Sequence, residues 1–308
     1  MVGAFGALVA VSFFVFIAVE ALPGDAASRL LGQNASPERV VALRERLGLD
    51  RPVLVRYWSW LRGVLGGDLG HSASGGSTVA ETIGRPARNS AILAGCAGIA
   101  ATLIAISVGV ITGSRDRRRG DGAARTTNLA ALAIPDFVIA TGFVVVFAGW
   151  LGWLPAVSLV PAGGSPLDRP ATLVIPGAAI ALSAGGFGAR LVRAAVVDAA
   201  RRPHVEAANV AGLARHQIMF RHVLGPASGP LVRVGVLLCP YLVGGTAAVE
   251  RIVGYPGLGT LLANSIVARD VRVVEAVVMT MAVVIVAAFA IGDLVARWCD
   301  ARTGGHLR

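Results

Sequence analysis

The chain has no lysine: all 28 of its basic residues are arginine, against 18 acids, for a formal net charge of +10. Without lysine there can be no Walker-type glycine loop ending in Gly-Lys, so any ATP hydrolysis linked to this chain must occur on a partner. Histidine is scarce too. His71, His204, His216, His222 and His306 all fall outside the long apolar runs, and no His-Glu-x-x-His occurs. That argues against a histidine proton relay within the membrane and against a membrane metalloprotease. The three cysteines, Cys96, Cys239 and Cys299, lie far apart with no Cys-x-x-Cys spacing, which disfavours a disulfide framework or a zinc site. Cys96 and Cys239 stand in apolar runs, where a buried small hydrophobe is expected. Charged residues make up only 15% and aromatics 6%. The arginines flank apolar runs with few aromatics between them, a pattern unlike a nucleic-acid surface. No paired acid and base and no nucleophile set is present. The chain is expected to bind no metal or cofactor and to be non-catalytic by itself.

What it has is apolar length. At 55% hydrophobic and a mean hydropathy of +0.70, the composition is that of a membrane protein. Hydropathy places six spans, near 2–21, 90–113, 129–150, 171–189, 230–249 and 275–296. The first lacks a basic start and an Ala-x-Ala site and is followed by Glu20 and Pro23, so it reads as a retained span rather than a signal peptide. Arginines crowd the loops near 114–128 and 190–229 and the C-terminal tail. The 151–170 loop has only Arg169, and the 250–274 loop has Arg251, Arg269 and Arg272. The bias puts both termini in the cytoplasm of a multi-pass protein of the bacterial inner membrane. The organisation read this way is a first membrane helix at 1–21, a periplasmic segment with amphipathic helices at 22–89, and a core of five spans at 90–308 with a cytoplasmic loop at 190–229.

The outer segment carries helix signals. Ser36-Pro37-Glu38 reads as a capped start, Val40, Leu43 and Leu47 as one apolar face, and Gly48 as the stop. Pro52 opens a second helix with the stripe Leu54, Tyr57, Trp58, Leu61 and Leu65. Its Trp58 and Trp60 could rest at the membrane surface, cap an opening, or pack on their own domain.

The polar interruption at 203–226 reads as two short helices meeting near Gly212, an elbow against which another protein could push. Glu206 favours the first helix through its dipole, and Arg215, Arg221 and His222 offer charge to an acidic partner. Within the spans, Asp136 follows Pro135 about two turns into the third, as a pathway residue or a bonded structural acid. Asp293 lies near the end of the sixth. Gly109, Gly142, Gly149, Gly185, Gly186 and Gly188 allow close helix approach. Candidate pathway or gate residues are Asp136, Gly244, Gly245, Glu250, Tyr255, Pro256 and Gly257.

Glu206-Ala207-Ala208, three residues and Gly212 resemble the EAA motif of permeases of ATP-binding-cassette (ABC) importers. The proline that closes that pattern comes one place late, at Pro226. An ordered series narrows the resemblance: Leu22-Pro23-Gly24-Asp25, Leu43 to Pro52, Gly67-Asp68-Leu69-Gly70-His71-Ser72, Gly152-Trp153-Leu154-Pro155 and Tyr255-Pro256-Gly257-Leu258-Gly259. It is similar to the first permease of dipeptide/oligopeptide ABC importers over nearly the whole chain. Three departures stand out: no basic residues precede the first span, and Arg269-Asp270-Val271-Arg272 and Asp300-Ala301-Arg302 each lack the family's proline.

The resemblance implies an all-α integral membrane protein with the six-helix type I ABC-importer permease fold. It implies a coupling site at Glu206, Ala207, Ala208, Gly212, Arg215 and Arg221. Its partners would be a second homologous permease in a heterodimer, one or two ABC ATPase subunits carrying ATP and Mg2+, an extracytoplasmic substrate-binding protein, a peptide substrate and membrane lipid. Nickel, glutathione or haem are alternative cargoes within the same family. A stand-alone secondary transporter or channel is the rival class, and a membrane enzyme a third.

Overall fold

A computed structural model of the chain describes residues 2–20, 36–48, 50–72, 76–115, 135–161 and 163–304. Eleven α-helices account for most of them, and the described residues contain one isolated antiparallel bridge, between His71 and Thr78. In chain order the helices are α1 (Val2–Glu20), α2 (Pro37–Leu47), α3 (Val53–Leu65), α4 (Val79–Arg115), α5 (Asp136–Phe143), α6 (Ala171–Ala200), α7 (Pro203–Val210), α8 (Arg215–Gln217), α9 (Ser228–Val253), α10 (Leu258–Ala268) and α11 (Val271–Gly304). α5 continues as a π-helix over Val144–Trp150, and α8 as one over Ile218–Leu224.

Four helices are long and apolar enough to cross a membrane, over Val79–Ser114, Ala171–Ala200, Ser228–Val253 and Val271–Cys299. α1 and the α5 stretch are shorter apolar helices at the first and third expected spans. Residues 129–134 of the third span lie outside the described residues, as do Leu22-Pro23-Gly24-Asp25. α4 starts at Val79, well before its apolar run, because of a reciprocal cap: Glu81 N–H donates to Thr78 Oγ1 at 3.3 Å, and Thr78 N–H donates to Glu81 Oε2 at 3.2 Å.

The chain divides into two compact units, residues 1–91 with 256–284, and 92–255 with 285–308. In the first, α1 meets α3 through Phe13 and Phe16, edge-on to Tyr57 at 5.1 and 5.5 Å between ring centroids. Ser12, a polar residue in an apolar helix, shares a 2.8 Å hydrogen bond with the Tyr57 hydroxyl, so its burial carries no unmade bond. The buried face of α3 is Tyr57, Trp60 and Leu61, while Leu54, Trp58 and Leu65 are exposed. The expected stripe was thus rotated from the packed one, which includes Trp60 and leaves Trp58 out. Ser36 occupies the N-cap of α2 without a side-chain bond, and Gly48 ends that helix at φ +66, with its N–H on Arg44 O and Glu45 O. A second cluster joins Val79 and Ile83 of α4 to Leu258 of α10 and to Val273 and Val277 of α11.

In the second unit, close approach is built on glycine. A Cβ at Gly109 would stand 2.6 Å from Val192, at Gly113 2.9 Å from Val196, at Gly185 2.8 Å from Ile104, and at Gly188 2.8 Å from Ala105. These pairs rise together in number, so α4 and α6 run parallel. α9 runs antiparallel to α6: Leu238 lies against Gly188, Val234 shares a cluster with Val196, and Val249 shares one with Ile175 and Ala179. The late ends of α4 and α6 and the start of α9 therefore share one end of this unit. Gly142 and Gly149, expected to serve the same purpose, have no comparably close neighbour among the described residues. Gly109→Leu is expected to destabilise the protein by about 1–3 kcal/mol through overpacking, measured by thermal unfolding in detergent. Gly142→Ala, with nothing within 4 Å of its Cβ, should not destabilise the isolated chain. Cys96 is exposed on α4 rather than buried. On a membrane-spanning helix both faces are apolar, so hydropathy does not report which one packs.

Candidate functional site

The elbow follows α6 after a two-residue turn. Arg202 is extended (φ −70, ψ 145), Pro203 takes the first helical position where its missing N–H costs nothing, and Glu206 lies in the first turn of α7. Val205 and Ala208 point inward, at 2% and 6% exposure, onto Val192, Val196 and Ala199 of α6 and onto Ile218 and Val223. Glu206 and Ala207 point outward. Ala208, grouped above with the coupling residues, is therefore a packing position that seats α7 on α6.

Gly212 ends α7 in a two-bond cap. Its N–H donates to Asn209 O at 3.1 Å, and Leu213 N–H donates to Ala208 O at 3.3 Å. This cap needs the left-handed region, and Gly212 has φ +75. The returning arm starts with Arg215, widens into the π-helix at Ile218, and is tied to α7 where His204 Nε2 meets His222 O at 3.0 Å. A π turn takes up more residues than an α turn. That accommodates the proline arriving one place late at Pro226. Arg221 is exposed on this arm.

Sequence reasoning singled out charges on the elbow and missed its apolar tip. Val210 is 85% exposed, Phe220 72% and Leu213 41%. Large apolar side chains next to a rigid turn mark an interaction surface. The signal was present: Val210 and Leu213 flank Gly212, outside the inward spacing of Val205 and Ala208.

The gate candidates fall into two groups. In the first, Pro135 is extended (ψ 146), so Asp136 opens α5 and is not embedded within a helix as expected. Its Oδ1 accepts the Phe137 N–H at 2.9 Å, and its Oδ2 lies against Gly245 of α9, where a Cβ would force the carboxylate to move. Gly245 is buried and Gly244 exposed. One turn earlier on α9, Tyr241 stacks on Phe187 of α6 (5.6 Å, 11° between planes), and the Arg190 guanidinium lies 5.6 Å from the Phe187 ring centre. This polar and aromatic patch was not foreseen.

The second group is the turn after α9. Glu250 and Tyr255 are fully buried, and Tyr255 N–H donates to Glu250 O at 2.9 Å. Gly254 turns at φ +64 with Val157 closing over it, and Ser158 N–H donates to Val253 O at 2.8 Å. Further along, Asn89 Nδ2 donates to Pro256 O at 2.9 Å, Gly257 is extended at the start of α10, and Leu258 N–H donates to Ser90 Oγ at 2.7 Å. Within each unit this stretch is held by named bonds rather than left loose. Asn89→Ala should release the Pro256 carbonyl and lower stability by about 1 kcal/mol in thermal unfolding.

Among the described residues, no three His, Cys, Asp or Glu side chains gather as a metal set. The model of the binding-protein-dependent transport system inner membrane component matches residues 105–305, and its N-terminal companion matches residues 1–92. The chain belongs to this family. The fold of such an inner membrane component is the type I ABC permease, and the helices described above form it. It is the membrane part of an ABC transport system and is not itself the catalytic part. A Brucella abortus protein named as a peptide transport system permease is 29% identical over 292 residues, covering 95% of this chain and 93% of the relative. A Brucella melitensis protein of like name is also 29% identical over 292 residues. The glutathione transport system permease of Escherichia coli is 28% identical over 279 residues, covering 91% and 89%.

Proposed function

We propose that this chain is a permease subunit of an ATP-driven importer for di- and oligopeptides. It forms the translocation path with a second, homologous permease. It couples to ABC ATPases, where ATP and Mg2+ bind, through the 203–226 elbow, and it receives substrate from an extracytoplasmic binding protein. The observation that carries this reading is the elbow itself: a short capped helix seated on α6, with Glu206, Ala207, Val210, Leu213 and Phe220 turned outward. Such a piece moves as one body with the membrane helix that bears it.

The parallel pairing of α4 and α6 supports the side assignment. It puts the C-terminal ends of α4 and α6, whose sequences run on into the arginine-rich stretches after residues 115 and 200, at the same end of this unit, as expected for the cytoplasmic side. ATPase closure would push the elbow, shift α6 and α9, and open the path outward; hydrolysis would reset it. Asp136 with Gly244 and Gly245, and the Glu250–Gly257 turn, are the proposed pathway and gate positions.

Peptide cargo is favoured by the ordered motif series and by the Brucella relatives' names. Glutathione is a second reading, from the E. coli relative, and is itself a tripeptide. The test is uptake into proteoliposomes holding the chain with its second permease, ATPases and binding protein. The panel should include di- and tripeptides, glutathione, a nickel chelate and haem. ATP-dependent uptake of short peptides is expected. Uptake of nickel or haem alone would refute the peptide reading, and uptake without the ATPases would refute the importer.

A further inference from the structure

Two charges of the second unit stand within the spans and without a counter-ion. Asp136 is half-buried beside Gly245, about 12 Å short of the α9 end at Val253. Arg190 is exposed on α6, about 15 Å before that helix ends at Ala200. Neither forms an ion pair among the described residues. A charge at membrane depth is costly, and it is retained where it meets a water-filled path or a ligand.

The carboxylate is also incompletely satisfied. Asp136 Oδ1 accepts the Phe137 N–H at 2.9 Å. Oδ2 accepts no hydrogen bond among the described residues, and it is not sealed from the surface. It is therefore free to take a donor from outside the chain.

The two charges are joined by a row of rings. The Arg190 guanidinium lies 5.6 Å from the Phe187 ring centre, and Phe187 stacks on Tyr241 with centres 5.6 Å apart. Tyr241 precedes Gly245 by one turn of α9, so the Asp136 carboxylate closes the row. Both rings are half-buried, which leaves part of each open. One helical turn and two ring steps put the charges on the order of 10–15 Å apart. An extended chain covers about 3.3–3.6 Å per residue, so about three to four residues bridge them.

We infer that this row is a station for short zwitterionic peptides on the translocation path. The N-terminal ammonium pairs with Asp136, the C-terminal carboxylate with Arg190, and the chain lies across Tyr241 and Phe187. Asp136 and Arg190 are then specificity-determining residues that read the two ends of a peptide and leave its side chains unread. A path that passes peptides of varied sequence needs that kind of recognition. This role rests on the importer reading and gives its path a chemical preference.

The test is calorimetric titration of the chain assembled with its second permease and ATPases, in detergent and without the binding protein. The ligands are trialanine, N-acetyl-trialanine and trialanine amide. Trialanine should bind about 10-fold more tightly than either blocked form. Asp136→Asn, which keeps an acceptor for the Phe137 N–H, should weaken trialanine and its amide about 10-fold and leave N-acetyl-trialanine unchanged. Arg190→Gln, at an exposed position, should weaken trialanine and its N-acetyl form and leave the amide unchanged; it serves if Asp136→Asn fails to fold. A merely structural role would weaken all three ligands alike. The inference is overturned if trialanine does not bind, if the blocked forms bind as well, or if the variants do not cross over in this way. It is also overturned if Asp136→Asn releases the second permease on copurification, since the row is then a subunit contact. Wild-type uptake of peptides alongside any of these results leaves the importer reading standing; absence of peptide uptake removes that reading whatever the titration shows.

Discussion

Gly212→Pro is expected to abolish ATP-driven uptake while leaving the membrane helices folded. The position requires φ +75, and proline is confined near −65°. The substitution also deletes the N–H that bonds Asn209 O at 3.1 Å. Together these cost roughly 3 kcal/mol or more, on the order of a hundredfold in any equilibrium that needs the intact elbow. Gly212→Ala separates the two effects. Nothing lies within 4 Å of its Cβ, so the cost is the left-handed conformation alone, about 1–2 kcal/mol. Uptake should fall in the order glycine, alanine, proline, and copurification of the ATPase should fall with it. Glu206→Arg, on the outward face, should weaken that copurification without unfolding α7. Normal uptake in both Gly212→Pro and Glu206→Arg would remove the elbow from the mechanism.

The second large effect is expected at Gly245. Even alanine there meets the Asp136 carboxylate, so Gly245→Ala must displace a half-buried charged group at the start of α5. The carboxylate is the free end of a side chain and can swing aside, so the loss is mainly that of its bond to the Phe137 N–H, about 1 kcal/mol. Gly244→Ala, one residue away with nothing within 4 Å of its Cβ, should be near neutral. The cause can be isolated by a cycle in thermal unfolding: Asp136→Ala should restore much of what Gly245→Ala loses, with a coupling of about 0.5–1 kcal/mol. Strictly additive losses would show that the carboxylate is not the obstacle.

The membrane core was largely legible in the sequence, because a span must be a long apolar helix and little else satisfies that. Where hydropathy was silent, the reading fell short. The first three turns of α4 hold Glu81, Arg85, Pro86 and Arg88, so the helix seemed to begin only where its apolar run begins. Burial within a span was equally hidden. Cys96 faces outward and Leu93 is fully buried in the same apolar run.

The elbow was visible through its glycine and its proline start, which are backbone signals. Its inward face was not. Ala208 looks like Ala207 until α6 is placed beside it. Asp136 and Gly245 are far apart in the chain, and only the packing of α5 on α9 brings them together. Arg269, which ends α10 at φ +56, gave no warning at all, since nothing in an arginine announces a left-handed backbone.

The π-helix at Ile218–Leu224 has a mechanical consequence. A stretch holding one residue more than an α-helix needs can give that residue up only whole. Doing so would rotate everything beyond it by about 100°. The returning arm is therefore indexed, like a cogwheel set by whole teeth: which side chains face outward beyond Ile218 is fixed by a count of whole residues.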